Sequence, residues 1–318
     1  MIKVLELFAG IGSQHQAFKN LGLDVEIVAI SEIDKYALAI YEALHGKVNN
    51  LGDIAKIDVN NIPDCDIMTY SFPCQDLSIA GKQRGVDKDS GTRSSLLWEC
   101  QKIIEKKLPK YLLMENVKNL VGATHKHNFD KWLQYLTSLG YRNYWKVLTA
   151  TDYDIPQFRQ RVFCVSIFGE ENYIFPQGQR TTKVLKDIIN NSDYILQLFS
   201  NPFSLKREPQ LSTNGLIQIG SIDDITFASR SRIYSINGFS PTLTTSHPPK
   251  IYIEGYGIRN LSPREYYLLM GFTNEQYEIA KNVKVNNKQI SKAQLYKTGG
   301  NSIVIPCLEA IFKNIFIK

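Results

Sequence analysis

Residues 3–12 read Lys-Val-Leu-Glu-Leu-Phe-Ala-Gly-Ile-Gly, an apolar run that ends on two glycines spaced by two. The run predicts a strand, the glycines a tight turn, and the residues beyond them a helix that ends near Gly22. Glycines at such a turn let a ligand approach the backbone closely. A second strand is expected over 25–30, followed by Glu32, which stands 20 residues past Gly12. An acid there suits ribose hydroxyls. This pattern fits a nucleoside ligand without choosing between NAD, FAD and S-adenosylmethionine, and a packing turn with no ligand is the competing reading.

The same alternation continues outward. Asp34 is placed to cap a helix over 35–44, closed by Gly46. Further strands are expected over 66–71 and 111–115, with helices around 95–107 and 129–139, then paired strands over 144–150 and 161–168. Short connections between such units mean a parallel sheet covered by helices on both faces. The pattern changes after Pro176. Residues 176–260 carry short strand-like pieces and turn residues, 262–271 read as a capped helix, and Gly299-Gly300-Asn301-Ser302 leads into an apolar helical run. The expected fold class is α/β, a Rossmann-like domain with a smaller, mainly β domain. The boundaries predicted are 1–177 with 297–318 for the first domain, 178–260 for the second, and 261–296 for a hinge.

At 318 residues the chain is long enough for a full core. Its five cysteines are scattered, odd in number and without a CxxC pair, which argues against a disulfide framework or a zinc knuckle; no metal site is expected. No apolar run approaches membrane-spanning length, and the N-terminal stretch enters a strand pattern rather than a signal peptide. A soluble, cytoplasmic protein with no membrane partner is expected. The net charge is +6, and residues 178–296 hold 14 Lys and Arg against 9 Asp and Glu. Most of the excess therefore sits in the C-terminal third, as a polyanion-binding lobe would show, although a solvated basic surface has the same composition.

Four further features bear on chemistry. Cys74 follows Pro73 where an apolar strand gives way to a polar loop, a place suited to a nucleophile, whereas a core cysteine would more often lie inside the run. Glu115 ends another strand and should emerge on the same sheet edge. There, desolvation beside an apolar strand can hold a carboxyl protonated, ready to donate to a ring nitrogen. Arg159 and Arg161 are spaced by two and expected on one strand face, suiting a phosphate or a carbonyl oxygen, or else forming a plain surface pair. Asp53, before the third strand, would meet an adenine amino group or serve as a turn cap.

Six stretches resemble, in order, the motifs of the cytosine-C5 DNA methyltransferase family of bacterial or phage modification type. They are ELFAGIGS (6–13), SFPCQDLSIAGKQRG (71–85), MENVKNL (114–120), QFRQR (157–161), RSRIYSINGFSPTLTTS (230–246) and GGNSIVIP (299–306). Ser13 stands where the family often has a third glycine. The resemblance implies an S-adenosylmethionine-dependent methyltransferase domain joined to a target-recognition domain, with S-adenosylhomocysteine as product. It implies that Cys74 adds to C6 of a flipped-out cytosine while Glu115 protonates N3. Asn116 would hold the Glu115 loop and the base, Arg161 would reach O2 and Arg159 would support the nucleophile. Cofactor contacts would fall on Phe8, Gly10, Gly12, Glu32, Ile33, Asp53, Ile54, Pro73, Leu96 and Asn301.

Duplex DNA is the implied partner. Gln75, Ser78, Lys82 and Arg84 lie in a Gly-containing loop expected to close over it. Thr242 would brace the target pocket from the smaller domain. The stretches 219–232 and 245–250 match two groove-entering loops, with Asp223, Asp224, Ser229, Arg230, Arg232 and Lys250 as contact candidates. A recognition sequence of about 4–5 base pairs is expected from so short a region. A monomer, serving beside a cognate restriction endonuclease in a bacterial cell or phage-infected host, completes the expectation.

Three other readings compete. A tRNA cytosine-C5 methyltransferase on the same scaffold would carry a Cys-Phe-Thr signature in the recognition region, and none is found. An NAD-dependent oxidoreductase would leave Pro-Cys-Gln, Glu-Asn-Val and Asn301 unexplained. A catalytically silent relative would be expected to have lost a key residue.

Overall fold

The computed structural model describes residues 1–72, 96–190, 203–222 and 228–317. The chain divides into two compact units, the first made of 1–148, 160–177 and 308–318 and the second of 149–159 and 178–307. Relative to the expected boundaries, 149–159, 261–296 and 297–307 fall in the second unit.

The first unit opens with β1 (Ile2–Leu7), α1 (Ser13–Asn20), β2 (Val25–Ser31) and α2 (Lys35–His45), and continues with β3 (Ile67–Tyr70), α3 (Leu97–Lys107), β4 (Tyr111–Val117), α4 (Lys126–Ser138) and β5 (Tyr141–Thr149). The chain then enters the second unit for the two-residue strand β6 (Gln157–Phe158) and returns as β7 (Gln160–Phe168). The sheet runs β2-β1-β3-β4-β7-β5. Strands β1, β2, β3 and β4 pair in parallel, as the βαβ pattern demands. The wholly parallel sheet expected from that pattern is corrected at β7, which runs antiparallel to β4. No crossover helix separates β5 from β7, so the chain returns through 149–159 and reverses direction.

Alternation along the strands sends Leu5, Leu7, Met68, Tyr70, Leu112 and Met114 into one core with Cys100, Ile104, Trp132 and Leu136 of α3 and α4. The other face is filled partly by aromatic stacking, with Phe18 of α1 on Phe312 at 4.0 Å and Tyr111 edge-on to Phe316. Asp34 caps α2 as expected, accepting from the N–H of Tyr36 and Ala37.

In the second unit, β8 (Phe203–Leu211), β9 (Ile217–Ile222), the short helix α5 (Ala228–Ser231) and β10 (Arg232–Ser235) precede β11 (Ser240–Pro241), β12 (Lys250–Ile253) and β13 (Gly257–Asn260). They form a five-stranded sheet ordered β13-β12-β10-β9-β8, while β11 pairs with β6. Helices α6 (Pro263–Leu268) and α7 (Asn274–Lys281), a small hairpin of β14 (Lys284–Val285) and β15 (Lys288–Gln289), and α8 (Lys292–Asn301) follow. Helix α6 starts on a capping box in which Ser262 and Glu265 exchange hydrogen bonds. The closing apolar run forms one helix, α9 (Ile305–Phe316), as expected, while Gly299, Gly300 and Asn301 before it end α8. Among the described residues no helix is long and apolar enough to cross a membrane.

Candidate active site

Strands β1 to β4 end side by side, and the candidate residues of the first unit collect at those ends. The turn after β1 is held in left-handed backbone, with φ of 57° at Phe8, 60° at Gly10 and 82° at Gly12. Phe8 is the costly one, because a side chain in that region is strained by roughly 1–2 kcal/mol. The two glycines serve different ends. A Cβ at Gly10 would meet nothing within 4 Å, so this backbone faces open space. A Cβ at Gly12 would lie 2.5 Å from His45 Nε2 and 2.9 Å from Tyr41 Cδ2, so here the absent side chain serves packing.

Glu32 is gathered onto this turn. Its Oε2 accepts from the Gly10 N–H at 2.8 Å and its Oε1 from the Asp34 N–H at 2.7 Å. Burial raises its pKa, against the pull of those N–H groups. With the Ile33 N–H also bonded to it, the carboxylate keeps a lone pair for a ligand hydroxyl. Asn50, unnoticed in the sequence, braces this acid: its amide accepts from the N–H of Glu32 and of Gly52 and donates to the Glu32 carbonyl. The only signal for it was an amide side chain among turn residues, shared with Asn49 beside it. Ile33 is 75% exposed, unusual for so apolar a side chain. Asp53 acts as a cap, accepting from the Ala55 N–H at 3.1 Å. Ile54 belongs to the core at 6% exposure, and Leu96 packs against that core.

The second cluster sits at the ends of β3 and β4. Tyr70 pairs with Met114, so the residues just past β3 lie beside Glu115 and Asn116. Asn116, 2% exposed, donates to the Phe72 carbonyl at 3.1 Å and accepts from the Val117 N–H at 2.8 Å. It therefore ties down the chain two residues before Cys74. Glu115 lies opposite Phe163, which makes Arg161 its diagonal neighbour on the same face. Arg161 Nε stands 3.2 Å from Glu115 Oε1, and its Nη1 donates to the Gln160 carbonyl. Besides lying at the end of an apolar strand, the Glu115 carboxyl is thus held in an ion pair.

Arg159 does not share that face. It lies in the second unit, 4% exposed, and donates to the carbonyls of Leu243, Gly300 and Ser302 at 3.0–3.2 Å. The expected arginine pair is thus divided, because Arg159 follows β6 while Arg161 belongs to β7. In the same unit Thr242 is exposed and donates to the Phe158 carbonyl at 2.7 Å, and Asn301 is exposed at the end of α8. Arg230 and Arg232 are exposed, and Lys250 donates to the Arg230 carbonyl. Burial lowers the Lys250 pKa; it also lowers that of His247, with Arg230 and Lys250 adding to the effect. His247 was missed in the sequence, where Ser-His-Pro-Pro-Lys has no pattern to mark it. Pro73, Cys74, Gln75, Ser78, Lys82, Arg84, Asp223 and Asp224 lie outside the described residues, as does the side chain of Ser229.

Comparison with known proteins follows the same lines. The family model for C-5 cytosine-specific DNA methylase matches residues 2–317. The chain is 39% identical to the type II methyltransferase M2.ScrFI of Lactococcus lactis subsp. cremoris, with 99% of each chain covered. It is 31% identical to the type II methyltransferase M.HhaI of Haemophilus parahaemolyticus, over 99% of this chain and 94% of the other. The S. pombe Dnmt2 methyltransferase structure superposes with a TM-score of 0.71, 18% identity and 98% and 97% coverage, a likeness of fold alone. A glycine turn with an acid at the second strand end, an acid–arginine pair at the fourth, and a full-length family match converge: the chain belongs to the C-5 cytosine-specific DNA methylase family and is a DNA (cytosine-5-)-methyltransferase.

Proposed function

We propose that this enzyme methylates C5 of a flipped-out cytosine within one short duplex sequence, through a covalent bond between Cys74 and C6. The observation that carries this reading is the Asn116 tie to the Phe72 carbonyl beside the Glu115–Arg161 pair. It supports an acid and the root of the Cys74 loop at neighbouring strand ends. C5 of cytosine is a poor nucleophile until C6 is attacked. The Cys74 thiolate adds to C6 and Glu115 delivers a proton to N3, leaving electron density on C5. Arg161 keeps the Glu115 carboxyl aimed as its charge changes. After C5 has accepted the methyl group, loss of the C5 proton and expulsion of the thiolate restore the aromatic ring. The target must leave the base stack for any of this.

The turn fits a nucleoside cofactor: Gly10 borders open space, Glu32 has a lone pair left for a hydroxyl, and Ile33 offers an exposed apolar surface. S-adenosylmethionine bound there supplies an electrophilic methyl group. Phe8, Gly10, Glu32, Ile33 and Asp53 would hold it. Arg230, Arg232, His247 and Lys250 would meet DNA. The type II designation of the relatives supports a role beside a cognate endonuclease. The enzyme would act as a monomer in the cytoplasm of a bacterium or phage-infected host.

The test is incubation with tritiated S-adenosylmethionine and either unmethylated duplex DNA or tRNA, with bisulfite mapping of the DNA. Label in duplex DNA at one short context, abolished in Cys74→Ser, is the expected result. Label retained by Cys74→Ser would refute the covalent route, and label in tRNA alone would refute the substrate.

A further inference from the structure

Under the glycine turn lies a buried polar chain that methyl transfer does not use. Tyr41 of α2 donates its hydroxyl proton to Glu6 Oε2 at 2.9 Å, and Glu6 is wholly buried on β1. His15 of α1 places Nδ1 3.0 Å from the same hydroxyl. Its ring stacks on His45 of α2 at 4.5 Å between centroids, 19° from parallel. His45 in turn sits 3.2 Å from the Ile11 carbonyl through Nε2, while Lys19 Nζ lies 3.4 Å from its Nδ1. One tautomer satisfies both contacts, with Nε2–H donating to Ile11 and Nδ1 accepting from Lys19. The rings of His45 and Tyr41 are also the groups that a Cβ at Gly12 would strike.

The arrangement reaches the turn twice. It bonds the carbonyl of Ile11, between the two glycines, and it fills the space under Gly12. Burial pushes the His15 imidazole down to about 4 and the His45 imidazole to about 3, so both rings are neutral and suited to this bonding. A plain apolar core would have filled the same volume without polar atoms to satisfy.

We propose that Glu6, Tyr41, His15 and His45 form a positioning network that holds the left-handed turn over 8–12 in its cofactor-binding shape, with His45 as the member that touches the turn. The proposal rests on the reading of that turn as the cofactor cradle. His45 is a positioning residue, so its loss should weaken cofactor binding and leave the chemical step alone.

The experiment is calorimetric titration of the full chain with S-adenosylhomocysteine, alongside steady-state kinetics. His45→Phe keeps a ring under Gly12 and removes the donor; His45→Gln keeps a donor of similar reach. The expected result for His45→Phe is binding weakened by about fivefold, with KM for the cofactor raised to match and kcat within about twofold of wild type. His45→Gln should recover most of the loss. Tyr41→Phe, which cuts the link to Glu6 while keeping the ring, should weaken binding by about twofold to threefold and serves if His45→Phe fails to fold. Wild-type affinity in both His45→Phe and Tyr41→Phe would overturn the network's role, as would an equal fall in kcat. Failure of the wild-type protein itself to bind S-adenosylhomocysteine would instead overturn the cradle reading beneath it.

Discussion

Arg159 and Arg161 are two residues apart in one motif and live in different settings. Arg161, in the first unit, pairs with a single carboxylate and retains some exposure. Arg159, in the second, is almost fully buried and gives its guanidinium to three main-chain carbonyls. In the function proposed above, the one at the strand end serves chemistry by holding the carboxyl that delivers a proton to the base. The other belongs to architecture, because carbonyls do not change charge and three of them leave it little freedom. Spacing in sequence put the two on one imagined face, and the passage from one compact unit to the other separated them.

The largest effect should come from Arg159. Arg159→Met leaves three buried carbonyls without their donor and should lower unfolding free energy by about 3 kcal/mol, read by urea denaturation. Arg159→Lys should rescue little, since one ammonium cannot reproduce a planar fork. If Arg159→Met were as stable as wild type and merely slow, the contrast would collapse.

Arg161→Met should do the reverse. Stability should stay within about 1 kcal/mol of wild type, because the pair it breaks is partly exposed. Single-turnover methylation should slow by about 100-fold, corresponding to about 2.7 kcal/mol of transition-state stabilisation. Unfolding as severe as that of Arg159→Met would reassign Arg161 to the scaffold.

Changing pH sharpens the contrast further, since arginine does not titrate and the network under the glycine turn does. The folded state resists protonating His15 and His45, whose pKa values are lowered to about 4 and about 3. Their contribution is therefore present above the ordinary imidazole value of about 6.5 and is lost as pH falls towards 4. Glu6 opposes this, because burial raises it to about 7 and the folded state takes up its proton as pH falls from about 7 to 4.5. Removing the opposing group should steepen the acid loss. Between pH 8 and pH 5, Glu6→Gln should lose more stability than wild type by on the order of 2 kcal/mol, measured by urea unfolding at both values. An unchanged difference would mean that Glu6 holds no proton in this interval.

Much of the first unit was legible in the chain. The strand, glycine turn and helix over 2–20, the capped helix after Asp34 and the acid at Glu32 all follow from local rules: strand and helix periodicity, the freedom of glycine, and the need to satisfy the first N–H groups of a helix. Such rules act over a few residues and leave marks in composition. What only the tertiary structure decided involves partners far apart in sequence. The antiparallel course of β7, the packing role of Gly12 against His45, the brace from Asn50, the ion pair between Glu115 and Arg161, and the Arg159 clamp across 84 to 143 residues each depend on which elements the sheets bring together. A donor's identity is written in the sequence; the acceptor it finds depends on where chain closure sets the two elements. Residue type and spacing therefore specified the family, and tertiary contact decided which of two glycines packs against His45 and which of two arginines meets Glu115.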